Sequence, residues 1–167
     1  MKKRILSMLL VVCMLMSMLP TAVFAADASV SSQQDLLDAI ANASDGDTIT
    51  LTGSIDVDMS GTAANSGAIT VDKSITIDGA GYALNATNGS QNATLLLVAN
   101  GANAAIRNLT VNGNGYAKHG VQAYSATATL NDVTSTGNTS GEPFHGRGHW
   151  ADNQRQRLGR RQRRCQW

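Results

Sequence analysis

Short runs of alternating apolar and polar residues fill the middle of the chain and restrict the folds open to it. Ile49 and Leu51 alternate with threonines, and Ile55, Val57 and Met59 alternate with aspartates. An apolar residue at every second position, with many β-branched side chains, is the pattern of strands that bury one side. The same pattern returns as ITV at 69–71 and ITI at 75–77. We therefore predict a chain built from many short strands.

Two nine-residue segments match each other at an offset of 24 residues. IRNLTVNGN (Ile106–Asn114) and LNDVTSTGN (Leu130–Asn138) share apolar residues at the first and fourth places, Thr at the fifth and Gly-Asn at the end. The pair Ile49 and Leu51 also recurs, 26 residues later. Periods of about 20 to 30 residues with short strands predict a parallel β-solenoid, in which each coil pairs with the one before it.

One segment departs from the alternation and predicts a helix over 33–42. Ser32 is a suitable N-cap residue, and Asp35 follows it by three positions, as in a capping box. Three apolar residues share one side of this helix, so it can cover the open end of the solenoid core. These residues are Leu36, Leu37 and Ile40.

The first 25 residues have the three-part layout of a secretory signal peptide. A basic MKKR start precedes an apolar run from Ile5 to Leu19, and Pro20 ends that run. Small residues then lead to a predicted cleavage after Ala25. The apolar run is short for a membrane-spanning helix, which needs about 20 residues. We expect a secreted or cell-surface protein with no membrane segment after cleavage.

Charge divides the remaining chain into two parts. The predicted domain at 26–141 contains ten Asp residues against Lys73, Arg107 and Lys118, a formal excess of seven negative charges. It contains no Cys, so no disulfide stabilises it. The stability of an exported domain of this size, without a disulfide, depends on its own packing or on additional residues further along the chain.

The segment 142–167 lacks the solenoid pattern and contains seven Arg residues between Arg147 and Arg164. A basic arm that binds nucleic acid conflicts with a secretory leader, so two explanations stay open: an arm that binds polyanions, or a solenoid coil read in the wrong frame. Read one nucleotide later, 150–166 can encode GLTTSGNAWGGVNVDVN, which has solenoid alternation. We favour the frame error as the explanation, and we expect a disordered tail on the amino-terminal fragment of a longer protein.

Three segments that follow the predicted helix carry a family resemblance. DGDTITL (Asp45–Leu51), ITIDGAGYAL (Ile75–Leu84) and AIRNLTVNG (Ala105–Gly113) resemble the start of a right-handed parallel β-helix of the pectate-lyase-like type. The leader resembles those of exported Gram-positive proteins. The resemblance implies an all-β solenoid over 26–141 with an amino-terminal capping helix. It identifies architecture and leaves the activity open.

The lyases of this fold use calcium and a basic residue that abstracts a proton, which makes carboxylates and Arg107 the first candidates. Asp56 and Asp58 share one side of a strand, but no calcium-loop spacing surrounds them. We therefore interpret them as solvated residues of an acidic exported protein. Arg107 lacks an adjacent carboxylate pair, so we expect a surface or ladder role. Four further carboxylates lie near strand ends: Asp45, Asp47, Asp72 and Asp78.

The remaining candidates are isolated or fall in the basic segment. His119 stands alone at a predicted corner, and three scattered tyrosines do not define a sugar-binding groove. Two histidines and a cysteine resemble metal ligands by residue type, but their spacing fits no zinc site. These residues are Tyr82, Tyr116 and Tyr124, and His145, His149 and Cys165. We predict no catalytic, cofactor-binding or metal-binding residue, and no cofactor.

Two classes of function follow. The first is a non-catalytic surface or adhesion module that contacts cell-wall or host polysaccharide and no nucleic acid. The second is the amino-terminal portion of a polysaccharide lyase or glycoside hydrolase whose active coils lie further along. We favour the first because the visible coils carry no convergent polar chemistry. The chain is expected to be a monomer, or to continue into further solenoid coils.

Overall fold

The structure, a computed structural model, describes residues 27–89, 91–140, 144–146 and 150–152. These ranges contain one helix, α1, at Gln33–Asn42 and a series of short strands. The strands are β1 (Ala28–Val30), β2 (Thr48–Leu51), β3 (Ile55–Asp58), β4 (Gly67–Val71), β5 (Thr76–Asp78), β6 (Ala83–Thr87), β7 (Thr94–Val98), β8 (Asn103–Asn112), β9 (His119–Ala123), β10 (Thr127–Thr136), β11 (Phe144–Gly146) and β12 (Trp150–Asp152).

All pairings between these strands are parallel, and they form three faces of a β-solenoid. Face one contains β1, β2, β5, the first halves of β8 and β10, and β12. Face two contains β3, β6 and the second halves of β8 and β10. Face three contains β4, β7, β9 and β11. The predicted parallel solenoid is confirmed.

Apolar side chains stack in columns inside the solenoid, one residue from each coil. On face one, Ile49, Ile77, Ile106 and Leu130 are successive partners, and all four are buried. Burial of each such side chain contributes about 1.5–3 kcal/mol before entropy costs. On face two the apolar column is Ile55, Leu84 and Val111, and it continues to the half-buried Ser135. On face three it is Ile69, Leu96 and Val121, and it continues to the half-buried Phe144.

The coil lengths agree with the sequence repeat in one place and differ in another. Ile106 pairs with Leu130, at the predicted offset of 24. Ile49, however, pairs with Ile77 at an offset of 28, so the predicted 26-residue match with Ile75 is wrong. The extra length lies in turns such as the eight-residue link between β3 and β4. The alternation of apolar and polar residues determines which side of a strand each residue faces. It carries no information on the number of residues in a turn.

A single residue turns the chain from face one to face two in the later coils. Asn108 (φ 51°) lies within β8 and Asp132 (φ 54°) within β10, so each strand continues through the corner. Asn and Asp tolerate this left-handed conformation better than other side chains do. One coil earlier, Ala80 (φ 49°) lies at the same corner between two glycines.

The predicted helix is confirmed, and it covers the amino-terminal end of the core. Ser32 Oγ accepts a hydrogen bond from the Asp35 backbone N–H at 3.1 Å, as an N-cap does. Leu36 and Ile40 are buried in the core, and Leu37 packs against it. An exposed apolar end would otherwise invite aggregation.

Two short strands follow Gly141, where we expected the solenoid to end. Phe144 in β11 is the register partner of Val121, and β12 pairs with β10 on face one. Phe144 packs against the core, and parallel pairing uses backbone groups that any residue other than Pro supplies. The solenoid therefore extends past the expected boundary. The predicted signal peptide, most of the predicted tail and its proposed frame error lie outside the described residues.

Candidate functional site: the outer polar rows

The outward side chains of successive coils form polar rows, as a period of two requires. On face one, Thr50, Asp78, Arg107 and Asn131 are successive register partners. We call this the first outer row. On face two, Asp56, Asn85, Asn112 and Thr136 are successive partners and form the second outer row.

Arg107 and Asp78 form an ion pair within the first outer row. Arg107 Nε donates to Asp78 Oδ2 at 2.8 Å, and 46% of the Arg107 side chain is exposed. Asp78 Oδ1 accepts from Asn108 Nδ2 at 3.1 Å and from the Ala80 backbone N–H at 2.9 Å. Both carboxylate oxygens are therefore already hydrogen-bonded within the fold.

The protonation of Asp78 follows from these contacts. Partial burial raises the pKa of Asp78, but the hydrogen bonds from Ala80, Asn108 and Arg107 and the positive charge of Arg107 outweigh it. The pKa therefore lies below its ordinary value of 3.8. Asp78 is thus ionised at neutral pH and holds Arg107 as a charged partner. Arg107 is the register partner of Asp78, and their ion pair links two adjacent coils within the first outer row.

Among the described residues, two side-chain hydrogen bonds involve the second outer row, and in one of them Asn112 Oδ1 accepts from the Asn114 backbone N–H at 3.2 Å. Asn85 Nδ2 donates to Asp56 Oδ1 at 3.3 Å, which links two adjacent coils. Asp56 and Thr136 are exposed, and Asn85 and Asn112 are half-buried. Amide and carboxylate groups in such a row can donate to and accept from hydroxyl groups of a ligand.

Several aspartates that the sequence analysis considered as ligands organise turns. Asp45 Oδ1 accepts from the Ser74 N–H, and Asp47 Oδ2 accepts from the Ser44 N–H, both at 2.8 Å. A backbone hydrogen bond from Ser60 is the main cause that lowers the pKa of Asp58 below its ordinary value. Asp72 is exposed. Within the described residues, no group of three or more His, Cys, Asp or Glu side chains could hold a metal ion.

His119 is not isolated, contrary to the sequence interpretation. It begins β9, only 7% of it is exposed, and its ring stacks on His145 of β11. His119 Nδ1 lies 3.1 Å from Ser140 Oγ. Two of the residues grouped with His145 by type, His149 and Cys165, lie outside the described residues. The stack was not predictable, because it depends on the register between β9 and β11.

The three tyrosines are exposed at three different turns. Tyr82 follows the corner between β5 and β6, Tyr116 lies between β8 and β9, and Tyr124 lies between β9 and β10. Their exposed fractions are 41%, 40% and 63%. An exposed tyrosine ring of this kind could stack on a sugar ring.

The outer rows, the cap helix and the solenoid agree with one family. A family model of the pectate lyase-like adhesive domain matches residues 27–140, which is more than half of the chain. The chain belongs to the pectate lyase-like adhesive domain family. No curated protein and no solved structure matches it.

Family membership confirms the resemblance of residues 27–140 to the pectate-lyase-like β-helix, and the family description is that of an adhesive domain. At a coarse level, this pectate lyase-like adhesive domain is an adhesive-like β-solenoid module. A module of this kind points to a surface or secreted protein. None of the helices in the described ranges has the length and hydropathy that a membrane crossing requires.

Proposed function

We propose that this chain is a non-catalytic adhesion module of a secreted or cell-surface protein, and that its second outer row contacts carbohydrate. The observation that carries the proposal is the ion pair between Arg107 and Asp78. This pair uses the one arginine among residues 27–140 as a structural tie between coils. Binding of a ligand on the outer surface needs only repeated hydrogen-bonding groups, which the solenoid has. It therefore requires less of this chain than catalysis does.

Charge favours a neutral saccharide over an acidic one. Residues 27–140 contain ten aspartates against Lys73, Arg107 and Lys118. A surface with this excess repels polyanions such as polyuronates and nucleic acids, most strongly at low ionic strength. Neutral sugars meet no such barrier and can hydrogen-bond to the amides of Asn85 and Asn112.

A glycan-binding experiment on the full exported chain tests this proposal. We expect binding to neutral cell-wall or host glycans, and at least a tenfold loss on the double change of Asn85→Ala and Asn112→Ala, at about 1.4 kcal/mol per tenfold. The matched control is Asn42→Ala on α1, where the side chain bonds to the Asp38 carbonyl within the helix. Equal loss in the control, or binding to polyuronates alone, would overturn the assignment to the second outer row.

A depolymerisation assay separates adhesion from the enzymatic alternative. We expect the chain to release no reducing ends or unsaturated products from polygalacturonate or neutral polysaccharides, with or without calcium. Release of such products that is abolished by Arg107→Ala would instead assign a lyase or hydrolase activity to the visible coils.

A further inference from the structure

The sequence Asn-Gly occurs four times in the solenoid, and each time it lies at the end of a strand or in a turn. The asparagines are Asn88, Asn100, Asn112 and Asn114, and a glycine follows each of them directly. Glycine has no Cβ, so its backbone nitrogen can approach the side chain of the preceding asparagine with little hindrance. This approach closes a five-membered ring, and the contacts of each glycine N–H determine how readily it happens.

Three of the four glycines use their N–H to bind the next coil of the solenoid. The acceptors are the Ser125 carbonyl at 2.9 Å for Gly101, the Thr136 carbonyl at 2.8 Å for Gly113 and the Gly137 carbonyl at 2.7 Å for Gly115. A nitrogen that donates such a bond must break it before it can lose its proton and move toward the asparagine side chain. These three pairs are therefore protected by the fold.

The pair Asn88-Gly89 differs from the other three. Among the described residues, none accepts a backbone hydrogen bond from the Gly89 N–H. Asn88 (φ 54°) and Gly89 (φ 107°) form an exposed turn directly after β6. Exposure alone does not separate the pairs, because Asn100 and Asn114 are also exposed. The distinguishing feature is the hydrogen bond of the glycine to the next coil.

We propose that Asn88 is a site of spontaneous modification, where ring closure with Gly89 converts the asparagine to aspartate and isoaspartate. The Gly89 nitrogen loses its proton to a base in the solvent and bonds to Cγ of Asn88. The bond from Cγ to the side-chain nitrogen breaks, and this nitrogen takes up a proton and leaves as ammonia. Water then adds to either carbonyl of the succinimide and opens the ring. No oxidant or reductant takes part.

The modification would disturb the contact between two coils beside the ends of β3 and β6. The backbone N–H of Ser60 and, with a smaller effect, the side chain of Asn88 donate to the Asp58 carboxylate and lower its pKa. A carboxylate at position 88 would replace this donor by a like charge. Isoaspartate also adds a methylene to the main chain before Gly89, where even a Cβ would lie 2.6 Å from the Met59 Cβ. The turn should therefore move away from Met59.

Peptide mapping of the full chain after incubation in slightly alkaline buffer tests the proposal. Tryptic cleavage after Lys73 and Arg107 places Asn88 and Asn100 in one peptide, and fragmentation of this peptide locates the mass gain of each amide-to-acid change. We expect Asn88 to convert about tenfold faster than Asn100 or more, since closure at Asn100 must first break a hydrogen bond. In concentrated urea, which removes the contacts between coils, the two rates should become similar.

Two variants show whether the modification loosens the coils. Asn88→Gln would need a larger ring and should not convert, and Asn88→Gly accepts the positive φ if glutamine disturbs the turn. Amide exchange at Val57 and Ala86 should become faster in the incubated wild type and stay unchanged in both variants. Equal conversion of Asn88 and Asn100 in the folded chain would overturn the proposal, and so would conversion of Asn88 that is slower in the folded chain than in urea by the same factor as that of Asn100. Glycan binding by freshly purified chain is a separate measurement and can succeed or fail independently.

Discussion

The side-chain amide of Gln33 forms with Asp58 the two hydrogen bonds that a neighbouring strand would form. Gln33 Oε1 accepts from the Asp58 backbone N–H at 2.9 Å, and Gln33 Nε2 donates to the Asp58 carbonyl at 3.3 Å. Among the described strands, β3 pairs only with β6, so its other edge faces the end of the solenoid. Exposed strand edges pair with other chains. Helix α1 thus protects both the core and part of this edge.

Replacement of Gln33 should therefore lower the free energy of unfolding by more than is usual for a residue at the surface. We expect Gln33→Ala to lower the free energy of unfolding by about 1–2 kcal/mol, because two backbone groups lose their partners. The control is Gln34→Ala, whose amide bonds only to Asp38 on the same helix. Urea unfolding of both variants measures the difference, and equal losses would show that the edge contact is unimportant.

Lys73 holds the other end of the same helix. Its Nζ donates to the Ala41 carbonyl at 2.6 Å and to the Ala43 carbonyl at 2.8 Å, where a helix leaves its last carbonyls unpaired. We expect Lys73→Met to lower the free energy of unfolding by about 1–2 kcal/mol. The loss should appear first as faster amide exchange in α1. Unchanged exchange there would contradict the capping role.

These contacts mark the limit of what the sequence could predict. Helix α1 could be predicted because its signals are local in the sequence. Ser32 and Asp35 are three residues apart, and the spacing of the apolar residues shows which side of the helix is buried. The 24-residue match also placed β8 against β10 correctly. Gln33 and Lys73 were not predictable, since each meets a partner 25 to 32 residues away in the chain. Such contacts depend on turn lengths that hydrophobic alternation does not encode, as the 28-residue coil from Ile49 to Ile77 shows.

Gly79 permits the close approach of two coils. A Cβ at this position would lie 2.4 Å from the Asn108 carbonyl oxygen and 2.7 Å from the Leu109 Cα, both of which are backbone atoms. We expect Gly79→Ala to destabilise the solenoid by about 3 kcal/mol or more, because the backbones must separate. Gly53→Ala is the control, since a Cβ there meets nothing within 4 Å. Thermal unfolding of the pair should show a large shift for Gly79 alone, and similar midpoints would contradict the close packing.

The bonds around Asp78 predict how acid weakens the tie between coils. Its pKa is lower in the folded chain than its ordinary value of 3.8. A carboxylate with a depressed pKa stabilises the fold above its unfolded pKa, and this contribution is lost as the pH falls through the folded value. The first outer row should therefore keep its full strength at neutral pH and weaken below about pH 4.

The variant Asp78→Asn separates this contribution from the general effect of acid. At pH 7 it should lower the free energy of unfolding by about 1 kcal/mol and no more, because Arg107 is half exposed and water screens the pair. The difference between the variant and the wild type should begin to shrink below about pH 4, where the carboxyl of the unfolded chain takes up its proton, and should be smallest below the lowered pKa of the folded carboxyl. Asp56→Asn is the matched control, since Asp56 lies in the second outer row and accepts a hydrogen bond from the neutral amide of Asn85, with no ion pair among the described residues. Urea unfolding at pH 7 and pH 3 measures both differences. A gap between Asp78→Asn and the wild type that stays constant across this range would show that the charge of Asp78 does not contribute to holding the coils together.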